Sequence, residues 1–269
     1  MIKFARYFYP PKYFDNFEEV VNSAYTDIVD ICKLVKKNIS EYGTSKINES
    51  QLQEIQNKFL KYNFKSSFLN VTVPFRIEFS VLFGGANMVF QNRRDQQMGI
   101  YIPWRTILYY PNKYISMGIQ QFTNIVAHEL QHFIDYHFLG KSLDEHGKDI
   151  KKEPLFTKYN ELNFDQYKNY VDYIKYVNHP REVRANLVQL IHILNLPKDK
   201  KIYQNYVREK MANGLPASQV YVNIINNAYH KMLEFESDVI DEIRNNFLIL
   251  LTPQARKYLI KGLYDAINN

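Results

Sequence analysis

The chain has 269 residues, of which 46% are hydrophobic and 23% are charged, and this composition excludes an intrinsically disordered protein. Its single cysteine, Cys32, excludes an intrachain disulfide and a metal site built from thiolates. The formal net charge is +6 and the pI is near 9.0, but Lys and Arg are spread along the chain, so we do not expect a nucleic-acid partner.

The N-terminal residues lack the apolar stretch of a signal peptide, because Met1–Arg6 leads directly into Pro10 and Pro11. No part of the chain approaches 18 uninterrupted apolar residues, so we predict no membrane span. We therefore expect the protein in the cytoplasm or inside a virus particle.

Residues 15–62 are predicted to be helical in two pieces. Apolar residues recur at helical spacing there, and the stretch 41–48 breaks the pattern. We predict that residues 1–65 form a helical segment packed on the core of a domain of residues 66–269, and that the two parts make one compact unit.

A small sheet is predicted between about residues 70 and 110. Apolar and polar residues alternate over 75–83, which is typical of a strand with one buried face, and Gly84 and Gly85 end the pattern. Residues 87–91 can return as a hairpin partner, and residues 98–103 form a third strand. The sheet is expected to be antiparallel or mixed.

The rest of the chain is predicted to be helical. A helix of about 117–139 ends at Gly140, a favourable residue just after a helix, and a charged loop covers about 140–160. Further helices are predicted at roughly 164–177, 180–195, 200–213, 217–248 and 253–267. The pattern therefore indicates an α+β protein, mostly helical, with a small sheet before the helix 117–139.

Two histidines on that helix have the spacing of metal ligands. His128 and His132 are four residues apart, so both rings lie on one face and can reach one ion at the 2.0–2.1 Å of a Zn–N bond. Glu129 lies one step, about 100°, round the helix, which places a carboxylate beside the metal where it can act as a general base. Five residues thus supply two ligands and a base.

The segment His128–His132 resembles the HExxH signature of the zincin metallopeptidases. The resemblance implies a zincin-like fold, a Zn²⁺ cofactor and hydrolysis of a protein or peptide substrate. The metzincin branch would need Gly at position 135 and His at position 138, but this chain has Asp135 and Phe138. We therefore compare the chain with the gluzincin branch.

Gluzincins take their third ligand from a Glu on a later helix, and the resemblance assigns this role to Glu182. Pro180 suits the first turn of a helix, which places Glu182 near the positive end of the helix dipole. Asn186 stands where gluzincins often carry an Asp that is hydrogen-bonded to the first His, and it is expected to orient His128. The 50 residues between His132 and Glu182 resemble the spacing in anthrax-lethal-factor-type and phage-encoded metallopeptidases, which also have Asp at the position of Asp135.

Several alternatives stay open. Asp135 shares the face of both histidines and is either a supporting carboxylate or the third ligand, and a loop histidine such as His146 is a further rival. Tyr176, followed by Tyr173, is the candidate donor to the oxyanion, and residues 98–103 are the candidate edge strand for substrate pairing. In the alternative function, the chain is a structural or cargo protein, for example of a virus particle, that retains the fold while hydrolysis is secondary or lost.

Overall fold

The computed structural model describes residues 10–43, 47–79, 89–93, 96–139, 171–233 and 246–269. The described residues belong to two compact units, which divide between His137 and Phe138. We call them the N-terminal unit and the C-terminal unit. The predicted Gly140, the loop 140–160 and residues 164–170 lie outside the described residues.

The N-terminal unit begins with the two helical pieces that were predicted. After a short helix α1 (Pro10–Tyr13), helix α2 spans Phe17–Tyr42 and helix α3 spans Glu49–Phe59. Helix α2 ends because Gly43 adopts a left-handed conformation (φ 63°), which L side chains rarely adopt. Helix α3 begins with a capping box, in which Asn48 and Gln51 each accept from the other's backbone amide.

Four strands follow the helices: β1 (Asn63–Ser66), β2 (Val71–Glu78), β3 (Val89–Arg93) and β4 (Gln96–Pro103). They form one sheet in the order β1-β2-β4-β3. The β1–β2 and β3–β4 pairs are antiparallel, whereas β2 and β4 run parallel with Phe75 opposite Ile100. The sheet is therefore mixed.

Two sequence predictions about the sheet are wrong. The return strand near residues 87–91 pairs with β4 instead of β2, and β4 is an inner strand instead of the predicted edge at 98–103. The physical reason is burial on both faces of β4, since Ile100, Tyr101 and Ile102 are all buried. Such continuous burial is typical of a strand with a neighbour on each side.

Two further helices follow in the described part of the N-terminal unit. Helix α4 spans Trp104–Tyr109, and helix α5 spans Pro111–Leu139 and so extends two residues past the end of the unit. Gly118 interrupts α5 with a non-helical conformation (φ 74°, ψ 162°), so the predicted helix from about 117 corresponds to the part after this break. The Phe122 ring packs against Phe75 of β2 at 6.1 Å between centroids, which fixes α5 on the sheet.

Each described element of the C-terminal unit is a helix or a helical turn. Its elements are α6 (Val171–Val177), α7 (Pro180–Ile193), α8 (Leu196–Ala212), α9 (Ala217–Leu233), a 3₁₀ turn (Phe247–Leu250) and α10 (Pro253–Asn268). The helices predicted near 180–195, 200–213 and 253–267 are confirmed, and the one predicted over 217–248 is described only to Leu233. The protein is thus mostly helical with a small mixed sheet, as the α+β prediction required.

Within the described ranges, we find no helix that is both long enough and apolar enough to traverse a lipid bilayer.

Candidate metal centre

Helix α5 holds the two predicted histidines next to a strongly apolar stripe. Phe122, Val126 and Leu130 are fully buried and Phe133 is 3% exposed, so this side of the helix is anchored in the core of the N-terminal unit. Because the core contacts fix the rotation of the helix, they also fix the direction of the histidine face.

The two imidazole rings converge. The Nε2 atoms of His128 and His132 lie 3.1 Å apart, and the ring planes are at 88° to each other. Two nitrogens bound to one zinc ion at 2.0–2.1 Å in tetrahedral geometry lie about 3.3–3.4 Å apart. The observed separation is therefore close to that of a pair of ligands on one ion, although a hydrogen bond between the two rings also has this length.

The rings differ in exposure. His132 is 4% exposed, whereas His128 is half-buried, and Glu129 beside it is half-buried as well. An ion held by both rings is thus bounded by protein on the His132 side. His128 and Glu129 lie on the more accessible side of the pair of rings.

A buried pair of polar side chains follows the histidines on α5. The Gln131 amide donates to Asp135 Oδ1 at 2.8 Å, and the two residues are only 4% and 5% exposed. Asp135 was predicted to be a supporting carboxylate or a ligand, whereas Gln131 was not singled out from the sequence. The available signal was the spacing of four residues between an amide and a carboxylate, which permits a hydrogen bond on one helix face.

In the C-terminal unit, Glu182 lies in the first turn of α7, as predicted. Pro180 occupies the start of the helix and His179 is the N-cap residue, although the His179 side chain makes no capping hydrogen bond. Glu182 is 3% exposed, and its position near the helix N-terminus favours the ionised carboxylate. Asn186, one turn later, is 7% exposed, and its backbone carbonyl accepts from the Tyr229 hydroxyl at 3.4 Å.

The corner before α7 is held by Asn178, a residue for which no role was predicted. Its amide donates to the carbonyls of Ile174 (2.8 Å) and Leu250 (2.6 Å), and its Oδ1 accepts from the Thr252 amide at 2.6 Å. Asn178 is fully buried. The signal in the sequence was an Asn two residues before a proline that starts a helix, but its partners are 72 and 74 residues away and could not be read from the pattern.

The other candidate residues and the remaining histidines are less informative. Tyr176, the candidate oxyanion donor, lies in α6 and is 53% exposed. His192 on α7 is half-buried and His230 on α9 is exposed. The side chains of Tyr173 and His137, and His146 as a whole, lie outside the described residues.

Comparisons with known proteins return no relatives for this chain: no family model, no curated protein and no solved structure matches it.

Proposed function

We propose that the protein is a zinc-dependent peptidase with a zincin-like fold, in which His128, His132 and Glu182 bind the metal. The observation that carries this proposal is the convergence of the two Nε2 atoms at 3.1 Å on one helix face. Two histidines and one carboxylate are a ligand set of catalytic zinc sites, which leave a coordination position open for water.

A second observation supports Glu182 over Asp135 as the third ligand. Glu182 is 3% exposed and lies in the first turn of α7, where the positive end of the helix dipole favours an ionised carboxylate. Asp135 instead accepts the hydrogen bond from Gln131. We therefore assign it a supporting role on α5.

The chemistry follows from the residues around the histidines. A zinc ion held at this position would act as a Lewis acid and would lower the pKa of a bound water towards about 7. Glu129, half-buried beside His128, takes a proton from the attacking water and passes it to the leaving amine. We further propose that Asn186 would accept a hydrogen bond from a ring N–H of His128 and that Tyr176 would donate to the oxyanion of the substrate.

Metal analysis tests the ligand set. The wild-type protein should retain close to one zinc per chain after dialysis, and His132→Ala and Glu182→Ala should each lose it. His230→Ala and Glu209→Ala are matched controls, since both positions are exposed on other helices, and they should keep the metal. Zinc retained by Glu182→Ala would refute the assignment of Glu182 as a ligand. A wild type that holds no zinc would refute the metal site, and the 3.1 Å contact would then be a hydrogen bond between the two histidines.

Activity is tested with Glu129→Gln, which preserves shape but removes the base. We expect this variant to bind zinc like the wild type and to lose cleavage of an unfolded protein substrate by at least about a hundredfold, in line with the usual contribution of a general base. Equal cleavage by the two proteins would refute the role of Glu129. A wild type that binds zinc but cleaves no unfolded substrate would favour the structural or cargo function.

A further inference from the structure

A second candidate site lies within the N-terminal unit, in a groove between the last turns of α3 and one face of β2. The groove has a volume of about 470 Å³, which is within the usual range of roughly 300–1,000 Å³ for small-molecule sites. None of the residues proposed to bind zinc lines it. The polar residues among those that do are Gln53, Gln56, Asn57, Arg76, Glu78 and Tyr101.

Arg76 is held rigidly at this groove. Its Nη1 donates to the carbonyls of Phe59 (2.9 Å), Tyr62 (2.6 Å) and Phe75 (2.9 Å), and its Nη2 donates to Asn63 Oδ1 at 3.0 Å. All four bonds come from the two terminal nitrogens, Nη1 and Nη2, and no described residue accepts a hydrogen bond from Nε. A guanidinium that is already fixed in this way binds a carboxylate with little further loss of conformational entropy.

The charge of Arg76 is only partly compensated. No carboxylate among the described residues forms an ion pair with it, and burial lowers the pKa of its guanidinium. Backbone carbonyls at the end of α3 stabilise the cation through the negative end of the helix dipole. The carbonyl groups carry only partial negative charges, whereas the carboxylate of a ligand would bring a full negative charge to Arg76.

A negative charge lies close by on the same face of the strand. Glu78 is two residues after Arg76, so the two side chains project to the same side of β2 about 6.7 Å apart along the strand. Glu78 is 7% exposed, and apolar surface is contributed by Leu60 and by Phe79, whose ring packs on Trp104 at 5.0 Å. The groove therefore combines a cation, an anion and an apolar wall.

We propose that this groove binds a free α-amino acid with an apolar side chain. The ligand carboxylate pairs with Arg76, its ammonium group faces Glu78, and its side chain packs against Leu60 and Phe79. The amides of Gln53, Gln56 and Asn57 lie along the open rim. This site goes beyond the peptidase proposal and does not depend on it.

Isothermal titration of the whole chain with phenylalanine and leucine tests the proposal. We expect saturable binding at one site, and binding at least about tenfold weaker for 3-phenylpropanoate, which lacks the ammonium group, and for phenylalaninamide, which lacks the carboxylate. Absence of saturable binding by both amino acids, or binding of the two analogues as tight as that of phenylalanine, would overturn the proposal.

Glu78→Gln separates the two charges of the site. This variant should weaken phenylalanine binding about tenfold and leave the binding of 3-phenylpropanoate unchanged, whereas Glu54→Gln on the exposed side of α3 should change neither. If Glu78→Gln does not fold, the analogue series on the wild type decides the question. Binding that disappears when a chelator is added would place the amino acid on the metal instead and overturn the groove as its site.

Discussion

Replacing Asn178 by Ala should strongly destabilise the C-terminal unit. The substitution removes an amide that donates to Leu250 O and an oxygen that accepts from Thr252 N, and it leaves both groups inside a fully buried corner. Each buried group without a partner costs about 1–3 kcal/mol, so the expected loss is about 2–6 kcal/mol. The carbonyl of Ile174 contributes less, because it also accepts from the Asn178 backbone amide at 3.2 Å.

Urea unfolding followed by circular dichroism measures this loss. Asn223→Ala is the matched control, since Asn223 accepts only an exposed hydrogen bond from Gln219, and it should change the free energy of unfolding by less than about 0.5 kcal/mol. Asn178→Asp keeps the acceptor for Thr252 but removes the donor, so it should also be destabilised. If Asn178→Ala lowers the free energy of unfolding by less than about 1 kcal/mol, with an unchanged slope of that free energy against urea concentration, Asn178 does not stabilise the start of α7 as inferred.

Three further predictions concern the N-terminal unit. Gly99→Ala should cost about 1–3 kcal/mol in urea unfolding, because the added Cβ would lie 2.7 Å from the Pro74 carbonyl across the β2–β4 pair, and wild-type stability would contradict this. Burial raises the pKa of Cys32 from 9.0 to about 12, so its reaction with a disulfide reagent at pH 8 should be at least about a thousandfold slower than in urea, and equal rates would show that the thiol is accessible. Tyr62→Phe removes the hydroxyl that donates to the Asp27 carboxylate and should cost about 1.5–3 kcal/mol in urea unfolding, and wild-type stability of this variant would refute a contribution of that bond.

The longer helices could be predicted from the sequence because their signals are local. Successive turns of α2, for example, place Val20, Ala24, Ile28 and Ile31 on one buried face. Helices α1 and α4 and strand β1 were missed, because segments of four to six residues are too short to show a period.

The strand order could not be predicted in the same way. Alternation of apolar and polar residues identifies a strand, but it does not identify the partner of that strand. The insertion of β4 between β2 and β3 depends on contacts across the sheet, such as Phe75 opposite Ile100. Gly99 held a clue that is clear only once the pairing is known, since a glycine within a strand often marks a close approach of two backbones.

The candidate site also has features that depend on local sequence and features that depend on distant residues. The convergence of His128 and His132 was predictable, because four residues of one helix determine it, and the buried stripe of α5 determines which way the rings face. The Gln131–Asp135 bond is equally local, yet an amide and a carboxylate four residues apart on a helix can just as well both face water. Glu182 is different. The helix dipole and the burial that act on its carboxylate are properties of α7 alone. Its proposed role as a metal ligand also requires histidines that lie at least 50 positions earlier in the chain. The metal analysis of Glu182→Ala therefore tests the long-range part of the site, which the local sequence pattern does not determine. The analysis of His132→Ala tests the local part, which the helix spacing determines.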